Sequence, residues 1–452
     1  MKNMKVMVIG SGGREHAISW KLAQSSKVDE IICVPGNGGT FNETKCRNIE
    51  PSECDYTTDV KGIDSYVQIA VYEQVDFVIV GPEDPLSEGI ADQLWKCGIP
   101  TVGPKSAGAS LEASKDVAKQ FMQQHNVACA FSKTVTDIEE AHGYIEEKGA
   151  PIVVKADGLA AGKGVVVAAT KEDAHKAIDD FMANKTLGDA GAKVVLEEYL
   201  QGVEISVLAA VSVTKESASS GKATILPFTT ARDHKRLLDG AKGPNTGGMG
   251  AIAPVQDVSP EQWNQFMETC LNPTLQGMIA EKMDYRGFIF FGVMLTKEGP
   301  KLLEYNVRLG DPETQAVLPL MDFDFADLCV AILDLDNNGS LADFTCSWKK
   351  GFICAPVVVS SGYPAAYKKG YPISLDTNII NKNGATIFIA GGIQKDSNLV
   401  TSGGRVLACS AYGDTFEEAW KNSYGALEGV HFTDLFYRKD IGLPGAAESG
   451  SL

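Results

Sequence analysis

No two of the ten cysteines in this 452-residue chain form a Cys-x-x-Cys pair. Their scattered positions (Cys33, Cys46, Cys54, Cys97, Cys129, Cys270, Cys329, Cys346, Cys354, Cys409) suit neither a disulfide framework nor a zinc module, so a reducing compartment is expected. No apolar run reaches the ~18 residues of a membrane span. The N-terminal MKNMKVMVIG is too short in its apolar run for a signal peptide. Positive charge is scarce: 41 Lys and Arg face 58 Asp and Glu, a formal net charge of -17. That balance argues against nonspecific nucleic-acid binding and against anionic lipid, while local basic clusters still permit a phosphorylated small ligand. Pro/Ser-rich linkers and internal repeats are also missing, so the modules are expected to pack tightly. What is there is ordinary for a soluble protein, 44% hydrophobic and 22% charged. At ~150 residues per domain the length suggests about three domains, and the expected location is the cytoplasm.

The most informative stretch is Pro151–Ala168, PIVVKADGLAAGKGVVVA. Two β-branched runs, Ile152–Val154 and Val165–Val167, enclose a loop with Gly158, Gly162 and Gly164, flanked by Lys155 and Lys163. Strand, glycine-rich loop, strand predicts a hairpin whose tip can lie over an anion, because glycine leaves backbone N–H groups unshielded. A P-loop or a dinucleotide fingerprint would continue into a helix, and this loop continues into a strand. A glycine-rich flap over nucleotide phosphates fits better, with an ordinary flexible hairpin as the bland alternative.

The first third reads as an open parallel α/β sheet, in which ligands bind at the carboxyl ends of strands. Strands are predicted at Val6–Ile9, Glu30–Val34 and Phe77–Val80, with helices at Ala17–Ser26 and Ile63–Gln74. Gly10-Ser-Gly-Gly-Arg-Glu-His16 is expected to be a turn after the first strand, and Gly81-Pro-Glu-Asp-Pro85 follows the last. The former fails as a dinucleotide fingerprint because its sixth position is Glu15 and no acid ends the next strand, so a dehydrogenase is the weaker reading. Arg14, His16 and Glu83 are expected near a ligand rather than on a solvated surface.

Helix is expected over Ser106–Gln124, including Ser114-Lys115. After the flap, the strand Val194–Leu196 runs into Glu197-Glu198-Tyr199-Leu200 and then Glu204. That edge could offer backbone groups to an adenine and Glu204 to a ribose, or be a solvated acidic turn. Arg232-Asp-His-Lys-Arg236 and Gly243-Pro-Asn-Thr-Gly-Gly-Met-Gly250 are too polar and too glycine-rich for core, and are expected to be a functional loop. In Lys301–Gln315, KLLEYNVRLGDPETQ, a strand over Leu302–Arg308 would put Glu304, Asn306 and Arg308 on one face. A carboxylate beside an amide oxygen suits Mg²⁺, and the guanidinium suits an anion.

Together these motifs resemble the ATP-grasp ligases, and with GSGGREH, GPEDPL and Thr401–Val406 (TSGGRV) they resemble the phosphoribosylamine–glycine ligase family over nearly the whole chain, from Val6 to about Asp440. The resemblance implies an α/β architecture: a Rossmann-like domain at 1–103, an ATP-grasp domain at 104–330 with a lid at about 124–193, a C-terminal α/β domain at 331–440 and a disordered tail at 441–452. It implies ATP and Mg²⁺ or Mn²⁺, with glycine and 5-phosphoribosylamine as substrates, in a cytoplasmic monomer that binds neither nucleic acid nor membrane. Lys115, Lys155 and the flap residues Gly158, Gly162, Lys163 and Gly164 would take the phosphates. Glu197, Glu198, Tyr199 and Leu200 would hold adenine, and Glu204 the ribose. Glu304 and Asn306 would be the metal ligands. Arg308 and Asp233 would handle the glycine carboxylate and the amine. Gly12, Gly13, Arg14 and Glu83 would face the substrate ribose, Lys235 also belongs on the substrate side, and Gly404 with Arg405 would hold the 5-phosphate. Phe288–Thr296 lacks the extra metal carboxylate that many ATP-grasp enzymes carry there. Another carboxylate–amine ligase of the same fold, or a non-catalytic nucleotide sensor, are the competing expectations.

Overall fold

The computed structural model describes residues 3–57, 59–160, 164–335 and 340–446, and the counts that follow refer to these. Gly162 and Lys163 lie outside them.

Five parallel strands form the first sheet, in the spatial order Cys46–Asn48, Val28–Pro35, Met4–Gly10, Phe77–Val80, Thr101–Val102. Their β-branched runs are buried on both faces, as a helix-covered parallel sheet requires. The first helix, Gly13–Ala23, starts inside the segment expected to be a turn. Glu15 makes this possible, because its Oε2 accepts from the Gly12 N–H at 2.6 Å and closes the helix N-terminus. The same side chain folds back over the strand ends: a Cβ on Gly81 would stand 2.1 Å from Glu15 Oε1. A carboxylate thus occupies the helix end that a dinucleotide fold reserves for a pyrophosphate, which disposes of the dehydrogenase reading.

A smaller antiparallel sheet runs Ser132–Val135, Val194–Glu198, Ile152–Ala156, Val165–Ala168. It carries its own apolar core with the helices Ile138–Lys148 and Lys171–Ile178. The flap hairpin is its outer edge, with Lys155 opposite Val165. The helix expected over Ser106–Gln124 is two, Ser106–Ala113 and Lys115–Gln124. Ser114 breaks it by capping the second, accepting from the Val117 N–H and donating to Asp157 Oδ1 at 2.9 Å.

The largest sheet is antiparallel and nine-stranded. Its main path is Gly299–Asn306, Tyr285–Thr296, Val203–Val213, Thr224–Asp233, Gly250–Ala253, Phe352–Ser360, Arg405–Gly413, Ala385–Ile389. It crosses the expected division at residue 330 without a break, which is why no linker sequence is needed there. The expectation of a disordered tail from residue 441 is corrected for its first residues: Ile441 and Ala446 are buried, and Arg438 Nη2 donates to the Ala446 carbonyl at 2.8 Å.

The Arg232–Arg236 run also differs from expectation, since Arg232 and His234 are core. Arg232 is neutralised by Asp257 at 2.8 Å. His234 is buried as a neutral ring, with Nδ1 facing the Gly250 carbonyl at 3.2 Å and Nε2 accepting the Gly442 N–H at 3.0 Å. Burial, with Arg438 adding, pushes its pKa down from 6.5 to about 3. Unfolded histidine takes a proton that folded His234 refuses, so stability should drain as pH falls from about 6.5 towards 3. Histidine ring NMR at pH ~5 checks this, and a charged His234 ring in the folded chain would refute it.

Candidate active site

The strand Gly299–Asn306 carries Glu304 and Asn306 at its C-terminal end. Glu304 pairs across the sheet with Gly292, whose missing side chain leaves it room, since a Cβ would lie 3.2 Å from Glu304 Cγ. Burial opposes ionisation of Glu304, but Lys235, Lys155, Lys115 and Arg308 outweigh it and hold its carboxyl below the usual range. These four cations come from four separate segments. Lys115 opens its helix and donates to the Gly158 carbonyl at 3.1 Å, tying the helix to the flap. Burial lowers its pKa, with Glu304 opposing that. Lys155, on the flap strand, pairs with Glu197 at 3.0 Å and reaches the Leu303 carbonyl at 3.3 Å. Lys235 pairs with Glu204 at 2.5 Å.

The strand stops at Asn306, so Arg308 does not continue the period-two face as expected. The chain bends, and Arg308 turns its Nη2 back to Asn306 Oδ1 at 2.9 Å. The guanidinium also pairs with Glu83 at 3.0 Å through Nε and with Glu112 at 2.8 Å through Nη2. Burial works against its charge, and the two carboxylates more than restore it, so its pKa is raised. Glu83 is held below the usual range because Arg308 and Arg14 overcome the cost of burial.

Around this hub stands the glycine-rich loop. Gly248 has φ +110°, and a Cβ there would sit 2.6 Å from Asp233 Oδ1, so only glycine allows the approach. Asp233 Oδ1 is buried without a hydrogen-bond partner among the described residues, and burial, with Glu313 adding, pushes its carboxyl well above the usual range. Arg405 Nη1 donates to the carbonyls of Gly247 and Asp311, the latter at 2.8 Å, and lies 3.4 Å from Asp311 Oδ1. Arg14 donates to the Leu309 carbonyl at 3.1 Å. Gly12, Gly13 and Gly404 are close approaches: a Cβ on them would meet Glu15, Gln315 and Tyr363 respectively within 2.8 Å. His16, expected near a ligand, instead accepts the Ile389 N–H at 2.8 Å and fastens the first sheet to the last.

Glu197 is buried between Lys155 and Lys119, the latter at 3.1 Å. Leu200 is also buried. Glu198 is exposed and lies 3.3 Å from Lys301. Tyr199 follows the strand end between them. Among the described residues the structure therefore gathers Lys115, Lys155, Lys235, Glu304, Arg308, Glu83, Arg14, Asp233 and Arg405 into one charged cluster, with the Glu197–Leu200 strand edge reached through Lys155. Glu112, Lys119, Asp311 and Glu313, absent from the expected site, join that cluster. Glu112 stands three residues before Lys115, and Asp311 and Glu313 lie within LGDPETQ, so adjacency to motif residues was the signal that could have found them.

Among the described residues no group of three or more His, Cys, Asp or Glu could hold a metal ion. Glu304 with Asn306 still fits Mg²⁺, which takes one or two protein oxygens and completes its shell with phosphate oxygens and water. The chemistry of the donors agrees: hard oxygens, one anionic, among cations suited to polyphosphate.

An antiparallel core strand bearing this acid–amide pair, facing a separately folded sheet with a glycine-rich flap, defines an ATP-grasp enzyme. The chain belongs to the phosphoribosylglycinamide synthetase family. Models of that family match its N domain at residues 4–112, its ATP-grasp (A) domain at 113–314 and its C domain at 353–444. The chain is 46% identical to the phosphoribosylamine–glycine ligase of Clostridium acetobutylicum, covering 97% of this chain and 99% of that one. It is 43% identical to the enzyme of that name from Vibrio parahaemolyticus, over 97% and 98%. The crystal structure of phosphoribosylamine–glycine ligase from Thermotoga maritima superposes with TM-score 0.80 at 33% identity, covering 97% and 100%. The biotin carboxylase domain of Hydrogenobacter thermophilus 2-oxoglutarate carboxylase shares the fold alone, with TM-score 0.70 at 14% identity over 96% and 92%.

Proposed function

We infer that this chain is an ATP-dependent carbon–nitrogen ligase that joins glycine to 5-phosphoribosylamine in purine synthesis, giving glycinamide ribonucleotide, ADP and phosphate. The observation that carries it is Glu304 ringed by Lys235, Lys155, Lys115 and Arg308, an arrangement suited to a metal–triphosphate and a carboxylate together. Lys115, Lys155 and the flap residues Gly158 and Gly164 neutralise and cover the phosphates; Gly162 and Lys163 belong to the same reading. Glu197, Glu198, Tyr199 and Leu200 line the adenine side, and Glu204 the ribose. Glu304 and Asn306 would hold Mg²⁺ or Mn²⁺, which supplies charge neutralisation at the phosphates.

Arg308 orients the glycine carboxylate for in-line attack on the γ-phosphorus, and ADP departs with the electrons of the broken P–O bond. The substrate amine then attacks the acyl carbon of glycyl phosphate, the C–O bond to phosphate breaks and a proton is lost. Asp233, buried with a spare acceptor, suits the amine end. Such a reaction needs positioning and electrostatics more than covalent help, and the flap's closure would keep water from the acyl phosphate. Glu83, Gly12, Gly13 and Arg14 take the ribose, Lys235 lies alongside, and Gly404 with Arg405 takes the 5-phosphate.

The enzyme is proposed to act as a cytoplasmic monomer on small molecules. The charge balance supports the absence of nucleic-acid and lipid partners, and no helix among the described residues is long and apolar enough to cross a membrane. The test is phosphate release from ATP and Mg²⁺ with glycine and fresh phosphoribosylamine, each omitted in turn. Release that needs both substrates establishes the ligase, and release with another amine alone overturns the substrate. Arg405→Ala should raise the KM for the phosphorylated amine about 10–100-fold, the weight of one charged hydrogen bond. An effect confined to the KM for ATP would count against that role.

A further inference from the structure

Glu112 lies in the last turn of the helix Ser106–Ala113, with its side chain only 7% exposed. Both carboxylate oxygens are engaged by the segment that follows the metal strand: Oε1 lies 2.8 Å from Arg308 Nη2, and Oε2 accepts the Val307 N–H at 2.6 Å. On its other side the guanidinium meets Glu83. Two carboxylates from different segments therefore share one guanidinium, and a substrate carboxylate would be the third claimant on a single positive charge. An arginine fork has room for several acceptors, but its charge is spent once.

We propose that Glu112 is a positioning residue that governs, through Arg308, how tightly the substrate carboxylate is held. The proposal rests on the reading that Arg308 takes the carboxylate of glycine. The groups facing Glu112 are Arg308 and the Val307 N–H, Glu83 from the helix Glu83–Ser87, Arg14 from the first helix, Lys115 from the next helix and the Tyr285 phenol from the neighbouring strand. Burial pushes the Glu112 carboxyl up to about 7 against the pull of Arg308, with Glu83 adding to the rise. Glu83 faces the same cation and is held below the usual range. Near neutral pH, then, Glu83 stays ionised while Glu112 changes state. A protonated Glu112 leaves part of the guanidinium's charge for the substrate, and an ionised Glu112 competes for it.

The experiment measures the KM for glycine, ATP and phosphoribosylamine separately, from about pH 6 to about pH 8, a unit either side of that carboxyl's midpoint. The variant is Glu112→Gln, which matches a protonated glutamic acid in shape and charge. In wild type the glycine KM should rise about tenfold across that range, the size of one hydrogen bond to a charged group. In Glu112→Gln it should be flat, and at the alkaline end about tenfold below wild type, while the other two KM values keep the wild-type profile. Damage to packing would not tighten glycine. A variant that keeps the wild-type slope, or that raises all three KM values together, overturns the proposal. If Glu112→Gln does not fold, a pH-independent glycine KM in the wild type still overturns it. Wild type that releases no glycine-dependent phosphate defeats the ligase reading instead, so the two failures are distinct.

Discussion

Glu304→Ala should cut turnover by roughly 10³-fold while the chain stays folded, the scale of loss when a preorganised electrostatic group is removed from a transition state. Lys235, Lys155, Lys115 and Arg308 all act on Glu304 to lower its pKa. Its removal leaves those cations without their shared counter-charge and takes away the anionic oxygen through which a divalent ion would join protein to phosphates. The fold should survive because residue 304 is held by its pairing with Gly292 and by the strand around it, not by its side chain. Metal-free ATP should bind the variant at least as tightly as wild type, since only cations would then face it. Phosphate release, thermal unfolding and nucleotide binding with and without Mg²⁺ check these outcomes. A folded Glu304→Ala protein with wild-type turnover would sink the metal assignment.

Arg308→Met should abolish glycine-dependent phosphate release and also destabilise the chain. Methionine keeps much of the volume but strands Glu83 and Glu112 beside each other without their cation. Breaking a buried pair from one side costs about 3–5 kcal/mol, because the remaining charge has lost its partner. The pH dependence follows from the sign of the shifts. Glu83 is held low by Arg308, so without it both carboxyls should titrate higher, and below their new pKa values the stranded charges disappear. The stability deficit should therefore be largest near pH ~8 and shrink towards pH ~5. Urea unfolding of wild type and variant at the two pH values measures it. A deficit that does not depend on pH would mean that lost packing, and not stranded charge, is the cause.

Much of this site was legible one segment at a time. KADGLAAGKG between two β-branched runs foretold the flap hairpin, since glycine-rich tips and alternating strand patterns are local signals. LEYNVR foretold a strand carrying an acid and an amide on one face. GSGGREH looks like a turn throughout, yet Glu15 caps a helix that begins at Gly13, and a cap of this kind is reached by a side chain bending back, which composition does not reveal. The Arg232–Arg236 run is polar throughout, yet Arg232 and His234 are buried because Asp257, Gly250 and Gly442 satisfy them. Polarity alone cannot predict burial when the partners are far along the chain.

By itself, then, the sequence marked several strands, among them the flap hairpin and the strand bearing Glu304 and Asn306, and showed which residue types could serve phosphate, metal and carboxylate. Those are properties of short stretches, set by sterics and periodicity. Only the tertiary structure decided how the charges pair. It brought Glu112 to Arg308, with Val307 195 residues away along the chain, set Glu304 among cations from four segments, and ran one sheet through the expected boundary at residue 330. A pKa, a shared guanidinium and an orphaned carboxylate oxygen depend on distance and burial, and those exist only once the chain has folded.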